Sequence, residues 1–555
     1  MGCIHASVPG LKHNLEEERM NDVNHNGFFG ARQGLVKYRL RRIDAWTGTL
    51  AAALIAGGLV TPAFAQEKTA EPKAPPAKGT TTASVPSAPA KPKAKAAPAI
   101  QAGGDAEKPA APLSPGRLDA TYGYKGWTTY FPSYADTLSQ DAGGYRSTLA
   151  DYGFGFLMLS GQIFQANMLD TPRQVPASFP ACTPANHLGG ICAGNQAYFG
   201  QSPSYYSIYN PFLTYDLGQV GLDGGQLAVS AMLTRTDDEA FSPDTFRLDT
   251  LSYYQPMLDN KLELKVGWLS VSNELIGVNI GGNYGSPFGS SATIPVELGM
   301  SFSPAAAPAA RLKWNIDNAF YNQFVVQRSL PVNGPTGNPI YDEVNSGRSG
   351  GLNFGSDVDG TRVLFANEFG YKTPAMPGSP STWIRAGAIY NTSDFRDFSQ
   401  LATNGTKSGS HGFYFLADRQ LWQQDPSSPM TAYRGIYGGV SAMYTPPETA
   451  AFYQNYEARL YWIGPFDSRP TDMVSVIYSR NEVSPDLSNF VNGFKSFTNI
   501  GANRNTNTIS AAYTAHVRPG AFASIGVSYT DNPSISYFDG QGSSFNIVAS
   551  LFTAF

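Results

Sequence analysis

The chain ends on Phe545-Asn-Ile-Val-Ala-Ser-Leu-Phe-Thr-Ala-Phe555. Side chains along a strand point alternately to its two faces, so Phe545, Ile547, Ala549, Leu551 and Phe555 share one of them. The same period of two recurs upstream. Tyr456, Ala458, Leu460 and Trp462 oppose Glu457, Arg459 and Tyr461. Leu262, Leu264, Val266 and Trp268 oppose Glu263, Lys265 and Gly267. Leu227, Val229, Ala231 and Leu233 alternate with Gln226, Ala228, Ser230 and Met232, and Ala523, Ile525, Val527 and Tyr529 with Ser524, Gly526, Ser528 and Thr530. Val363, Phe365, Phe369 and Tyr371 oppose Arg362, Leu364, Ala366 and Glu368. Weaker alternation runs through 153–160, 383–390, 413–422, 436–444, 473–480 and 508–516. A soluble sandwich alternates too. Here the polar face carries charges and glycines, and the apolar face ends on Trp or Tyr. That pattern suits a sheet with lipid outside, water inside and aromatic girdles at the two interfaces.

Composition supports this reading. Of 555 residues, 42% are hydrophobic, 13% aromatic and only 15% charged, against roughly 25% charged in soluble domains. Mean hydropathy is −0.23. After residue 65 no run approaches the ~18 apolar residues of a membrane helix, and aromatics at this density need burial, which argues against wholesale disorder. The predicted fold is all-β, an antiparallel transmembrane β-barrel with a disordered N-terminal arm. At about 25 residues per strand with its connection, residues 116–555 hold 16 strands, with 18 as the alternative, and 16 or more leave room for an aqueous channel. Gly-, Asn-, Ser- and Pro-rich stretches at 161–212, 271–310, 329–360, 391–411 and 481–507 read as long loops, which in a channel-forming barrel would fold inward and narrow the pore, the alternative for each being a mobile cap.

The N-terminus reads as an address. Lys37, Arg39, Arg41 and Arg42 precede an apolar run, Thr49 to Thr61, and Ala63-Phe-Ala65 forms an A-x-A cleavage site. Residues 1–65 are thus predicted to be a leader and cleavable signal peptide, cut between Ala65 and Gln66. Residues 66–115 are rich in Ala, Pro and Lys, with 7 Lys and 4 acidic residues, and form a disordered periplasmic arm. The arm is read as a spacer, or as a tether to peptidoglycan. Cys182 and Cys192 remain after cleavage and are expected to form one disulfide in an oxidising compartment. No metal or cofactor site emerges, since His187, His411 and His516 are scattered. The barrel carries 25 basic and 34 acidic residues, which disfavours nucleic acid. No G-x-S-x-G, H-E-x-x-H or Walker sequence suggests an enzyme.

Two resemblances follow. The alternating last strand ending on aromatic Phe555 resembles the signal by which bacterial outer-membrane barrels are recognised by the barrel assembly machinery. Residues 411–480 resemble the carbohydrate-selective porin family (OprB-type) of Gram-negative outer membranes. The resembling residues are His411-Gly-Phe-Tyr, Asp418-Arg-Gln-Leu421, Tyr433-Arg-Gly-Ile-Tyr437, the strand Tyr456–Trp462, and Gly464-Pro-Phe-Asp-Ser-Arg469-Pro-Thr-Asp472. The long arm and the cysteine loop are departures from that family. The resemblance implies a 16-stranded barrel, embedded among outer-membrane lipid and lipopolysaccharide, that passes monosaccharides such as glucose by passive diffusion.

Such a pore needs polar groups that exchange hydrogen bonds with hydroxyls. The candidates for pore lining or sugar contact are Glu457, Arg459, Arg434, Arg385, Arg362, Glu368 and Arg480. Glu457 and Arg459 stand out because they are two residues apart and share a face; the structural alternative is a ladder of wall charges that touches no solute. Arg469 and Asp472 read as a pair clamping a turn. The alternative functions are a structural or cell-wall-tethering barrel, and a porin for another small solute such as an organic acid.

Overall fold

The computed structural model describes residues 115–127, 133–181, 191–238, 241–276, 293–346 and 350–555. The expected leader, cleavage site Ala65/Gln66 and arm up to residue 114 lie outside them, as does Cys182. Cys192 is buried and disulfide-bonded.

Among the described residues, sixteen antiparallel strands close into one barrel. They are β1 (Phe154–Asn167), β2 (Ser204–Asp216), β3 (Gln226–Thr236), β4 (Thr245–Met257), β5 (Leu262–Leu269), β6 (Ala307–Asn315), β7 (Phe320–Arg328), β8 (Val363–Thr373), β9 (Thr382–Arg396), β10 (Thr406–Gln423), β11 (Gly435–Tyr444), β12 (Phe452–Ile463), β13 (Met473–Val483), β15 (Asn505–Arg518), β16 (Ala521–Asp531) and β18 (Ser544–Ala554). The short β14 (Ile500–Ala502) and β17 (Ser536–Phe538) pair separately above the wall. Each barrel strand neighbours the next in sequence, and β18 closes the ring on β1, from Leu159 opposite Ala554 to Asn167 opposite Asn546. Closure removes the unpaired edges that a bilayer cannot tolerate.

The alternation sorts residues as the sequence suggested. On β13, Val474, Val476 and Tyr478 point out while Ser475, Ile477, Ser479 and Asn481 point in. On β12, Tyr456 and Leu460 are exposed outside and Glu457, Arg459 and Tyr461 are buried inside. Tyr390, Tyr444, Tyr456 and Tyr529 stand toward one rim of the outer face, and Trp314, Trp422 and Trp462 near the other. Short connections such as 258–261, 316–319 and 519–520 lie at the end where β1 begins and β18 finishes, the terminal end; the long ones lie opposite.

Several stretches expected to be loops contain strand. β1 extends to Asn167 and β2 begins at Ser204, so 161–212 is loop only in its middle; β9 and β10 likewise cover both ends of 391–411, β6 begins inside 271–310, and β13 and β15 enter 481–507. Pro211 breaks the pattern of β2 because it has no N–H for the ladder. The side chain of Asn210 donates instead to the Ala231 carbonyl at 2.7 Å.

Val440 lies mid-strand on the outer face and is 48% exposed. Val440→Arg should destabilise the barrel by about 2–4 kcal/mol, the midplane penalty for arginine, read as a lower guanidinium midpoint in lipid vesicles.

Candidate functional site

The lumen is not empty. The connection from β5 to β6 turns inward, and its described parts, 270–276 and 293–306, carry the short helices α3 (Val271–Glu274) and α4 (Thr293–Glu297). (The helices α1, Pro115–Tyr122, and α2, Tyr145–Asp151, precede the barrel.) Leu275, Ile276, Ile294, Leu298 and Met300 of this loop pack with Val325, Leu364, Ala366, Ile389 and Leu416 from the inner wall. This explains apolar residues on a face that is otherwise polar: they are the seat of the loop, and each buried side chain is worth about 1.5–3 kcal/mol.

Polar groups finish the docking. Arg385 donates to the carbonyls of Leu275, at 2.9 Å, and Ile276. Asn391 donates to the Leu298 carbonyl at 2.6 Å and Gln327 to that of Gly299 at 3.0 Å. The strongest anchor is Glu274. Its carboxylate lies 2.6 Å from Lys265 Nζ on β5 and 2.6 Å from Arg311 Nη1 on β6, with all three side chains at most 1% exposed. Arg311 and Lys313 also face Glu263, at 3.5 and 3.3 Å. The connection between β7 and β8 carries α5 (Pro339–Ser346), whose Glu343 takes both terminal nitrogens of Arg328, the last residue of β7, at 2.8 Å.

The residues singled out from sequence fall into three groups. Glu368, Arg385, Glu457 and Arg459 face inward. Glu368 accepts from Tyr321 and Tyr414, each at 3.0 Å, and from Gln323 at 2.8 Å. Arg459 bridges Glu457 at 2.5 Å and Asp418 at 2.9 Å and donates to Ser441 at 2.7 Å. Arg434 and the pair Arg469–Asp472 sit at the terminal end. Arg434 reaches the Gly464 carbonyl at 3.0 Å and Asp467 at 2.7 Å, tying two neighbouring turns rather than facing the mid-lumen. Arg469 pairs with Asp472, which also accepts the His516 N–H at 2.9 Å. Arg362 and Arg480 correct the expectation of a lumen position. Arg480 shares the outward face of Val474 and Val476 and bonds Glu482 at 2.5 Å, and Arg362 is exposed just before β8, 2.9 Å from Asp394. Both sit near the loop end of the outer face, where a long cation reaches the polar interface.

Glu274 and Arg311 were not among the residues expected at the site, and Asp418 was marked only by the family resemblance. Lys265 and Glu263 were visible as polar-face residues of an alternating strand, but Glu274 lies in a connection without a period.

Two outcomes follow. Glu274→Gln leaves two buried cations short of a carboxylate, a change that costs about 3–5 kcal/mol in comparable settings; faster amide exchange at 293–306 and a noisier, larger conductance are expected. Glu297, at the end of α4, accepts the Phe452 N–H at 3.0 Å. It keeps a partly accessible edge, yet the surrounding loops exclude enough water to push its carboxyl up to about 8 from 4.5. A raised carboxyl is protonated when docked, so its contribution is complete below pH 4.5 and falls as pH rises through 8. Exchange protection of 293–306 should therefore drop over that interval, and Glu297→Gln should flatten the drop.

The geometry is matched by comparison. The model of the carbohydrate-selective porin family, OprB, matches residues 194–542. A search of curated proteins finds no match. Among solved structures, the high-pH structure of Pseudomonas putida OprB is 15% identical, with TM-score 0.58, covering 79% of this chain and 100% of that chain. The low-pH structure of the same protein is 14% identical, with TM-score 0.44, covering 77% and 100%. A mutant porin of Rh. blastica is 10% identical, with TM-score 0.36, covering 72% and 100%. With a closed barrel, an inward loop and a family match over more than half its length, this chain belongs to the OprB family of carbohydrate-selective porins of the bacterial outer membrane.

Proposed function

We propose that this porin passes glucose-sized monosaccharides by passive diffusion. The observation that carries the reading is the pair of loop segments 270–276 and 293–306, seated on the inner wall, the first by a carboxylate shared between Lys265 and Arg311. A docked loop narrows a 16-stranded lumen that would otherwise pass solutes with little discrimination. The inward residues Glu368, Arg385, Glu457 and Arg459, with Asp418, are assigned to the wall of this path. Their charges are largely paired with one another or with loop carbonyls. A neutral, hydroxyl-rich solute therefore meets dipoles and hydrogen-bonding groups rather than a strong net field, and its binding stays weak enough for release.

The short connections at the terminal end orient the barrel with that end in the periplasm and the long loops outside. The same reading assigns the last strand, ending at Phe555, to recognition by the assembly machinery. It assigns the aromatic rims to lipid and lipopolysaccharide, and the arm 66–115 to the periplasm beside peptidoglycan.

In planar bilayers, ion conductance should fall with added glucose in a saturable manner. Glu457→Gln/Arg459→Gln leaves the net charge unchanged but strips Asp418 of its partner, so cation preference should rise, read as a shifted reversal potential, and the glucose block should weaken. A pore indifferent to every sugar tested would overturn the reading.

A further inference from the structure

The connection from β7 to β8 does not stay above the rim. Its later part, 350–356, lies against the outer face of the barrel. The Leu248 N–H of β4 donates to the Gly350 carbonyl at 2.8 Å. Trp268 of β5 donates from Nε1 to the Asn353 carbonyl at 3.3 Å, and its ring meets Phe354 edge to face at 4.6 Å. Trp268 pairs across the sheet with the exposed Leu251 and alternates with the buried Lys265 and Leu269, so the contact is on the lipid side of the wall. Between this segment and the wall lies a groove of about 440 Å³, within the ~300–1,000 Å³ range of small-ligand sites.

The groove has a cause in the sequence. Its floor is made by outward residues that are small for a lipid-facing wall: Pro308 and Ala310 of β6, Val326 of β7 and Val363 of β8. Toward the terminal end the same faces carry Leu312, Phe324 and Phe365, and the two rings stack at 6.5 Å and close the groove there. Phe354 forms one side. Arg328 and Arg362 border the loop end, where Arg328 is held on Glu343 at 2.8 Å and the half-exposed Arg362 on Asp394 at 2.9 Å. Pro308 stands six residues from Trp314 along β6, as Tyr456 does from Trp462 along β12. The groove therefore opens at the level of the tyrosine rim, where hydrocarbon gives way to headgroups.

We propose that this groove is a binding site for an acyl chain of an outer-leaflet lipid, lipopolysaccharide, held between the wall of β6–β8 and the connection that overlies it. The occupant follows from place and chemistry. The medium on this face is hydrocarbon, and the floor is apolar, so a chain enters without stripping water from any polar group. A smooth wall touches a chain on one side, whereas here the floor and the Phe354 ring touch it on two, and dispersion contacts sum. The arginines at the loop end lie where the polar root of the lipid and its phosphate meet the interface. The inference goes beyond the sugar reading and takes from it only the orientation of the barrel, long loops outside.

The test is lipid binding by the full chain, refolded in lipid-free detergent, titrated with lipid A and read by native mass spectrometry. Wild type is compared with Ala310→Phe, which fills the floor, and with Val440→Phe, which adds the same ring to the outer face of β11. Wild type and Val440→Phe should each retain one lipid A, and Ala310→Phe should bind about tenfold more weakly, the equivalent of roughly two buried methylenes. Equal binding by wild type and folded Ala310→Phe, or no lipid A retained by wild type, overturns the inference. Should Ala310→Phe not refold, Phe354→Ser on the overlying segment decides in the same way: weakened binding supports the inference and unchanged binding overturns it. A wild-type dimer that Ala310→Phe dissociates makes a second copy the occupant and overturns the lipid assignment. Glucose block is measured on the same preparations: a channel that no sugar blocks overturns the sugar reading alone, whereas intact block with unchanged lipid binding in the variants overturns this inference alone.

Discussion

Everything inside the barrel is referred to one buried carboxylate. Glu274 sits between Lys265 and Arg311, and none of the three side chains is more than 1% exposed. Removing such charges from water costs several kcal/mol each, and their attraction repays this only with close geometry and additional hydrogen bonds. Both conditions are met. The two contacts are 2.6 Å, Gln323 holds the Glu274 backbone carbonyl at 3.1 Å, and Lys265 spends its remaining donors on Tyr124 and Lys125. The gain over an apolar seat is positional. A hydrophobic patch would let the loop slide, whereas a carboxylate between two fixed cations has one place to be. Wall, loop and N-terminal segment are registered against each other at Lys265.

The wall was legible where one face meets lipid and the other meets water. β3, β5, β12 and β16 show this cleanly. β2, β4, β6 and β7 did not, for separate physical reasons. β2 carries Pro211 and tyrosines on both faces. β4 changes register where Ser230 and Ala231 face Thr250 and Leu248, so Asp249 falls in a bulge and the period slips by one. β6 opens on Ala307-Pro-Ala-Ala310, with too little side chain to alternate. β7 puts Val325 inside, under the loop, and Asn322 outside, where it pairs with Asn367 at 3.1 Å. In each case a tertiary demand overrode the local pattern.

The site was legible by half. Parity alone placed Glu457 and Arg459 on the inner face, because residues two apart on a strand cannot separate. It also gave Lys265 and Glu263. Parity failed at strand ends: Arg362 and Arg480 lie near a rim, where an outward cation meets the interface rather than the hydrocarbon, so charge no longer reports the lumen. Arg434 sits in a turn, where parity does not apply. Glu274 was out of reach because nothing in the sequence says which loop returns to the wall. The apolar inner residues Leu364, Ala366, Ile389 and Leu416 were the available hint, since an apolar residue on a wet face must be covered by something.

That hint bears on how the channel treats its solutes. The inward connection docks on the β5–β12 side, whereas the inner face of β15 and β16 is largely small and hydroxylic, with Thr508, Ser510, Thr514, Ser524, Ser528 and Thr530. Charge is likewise gathered into closed groups: Glu263 and Glu274 with Lys265, Arg311 and Lys313; Glu343 with Arg328; and Asp418 and Glu457 with Arg459. An unpaired buried charge would hold an ion or a polar solute tightly, and a channel that binds tightly conducts slowly. Pairing most of the charges within the wall leaves selection to width and to hydroxyl-matching dipoles, the latter worth about 1 kcal/mol each. Terms of that size favour one class of solute severalfold and still let it go, which is what passive diffusion down a gradient requires.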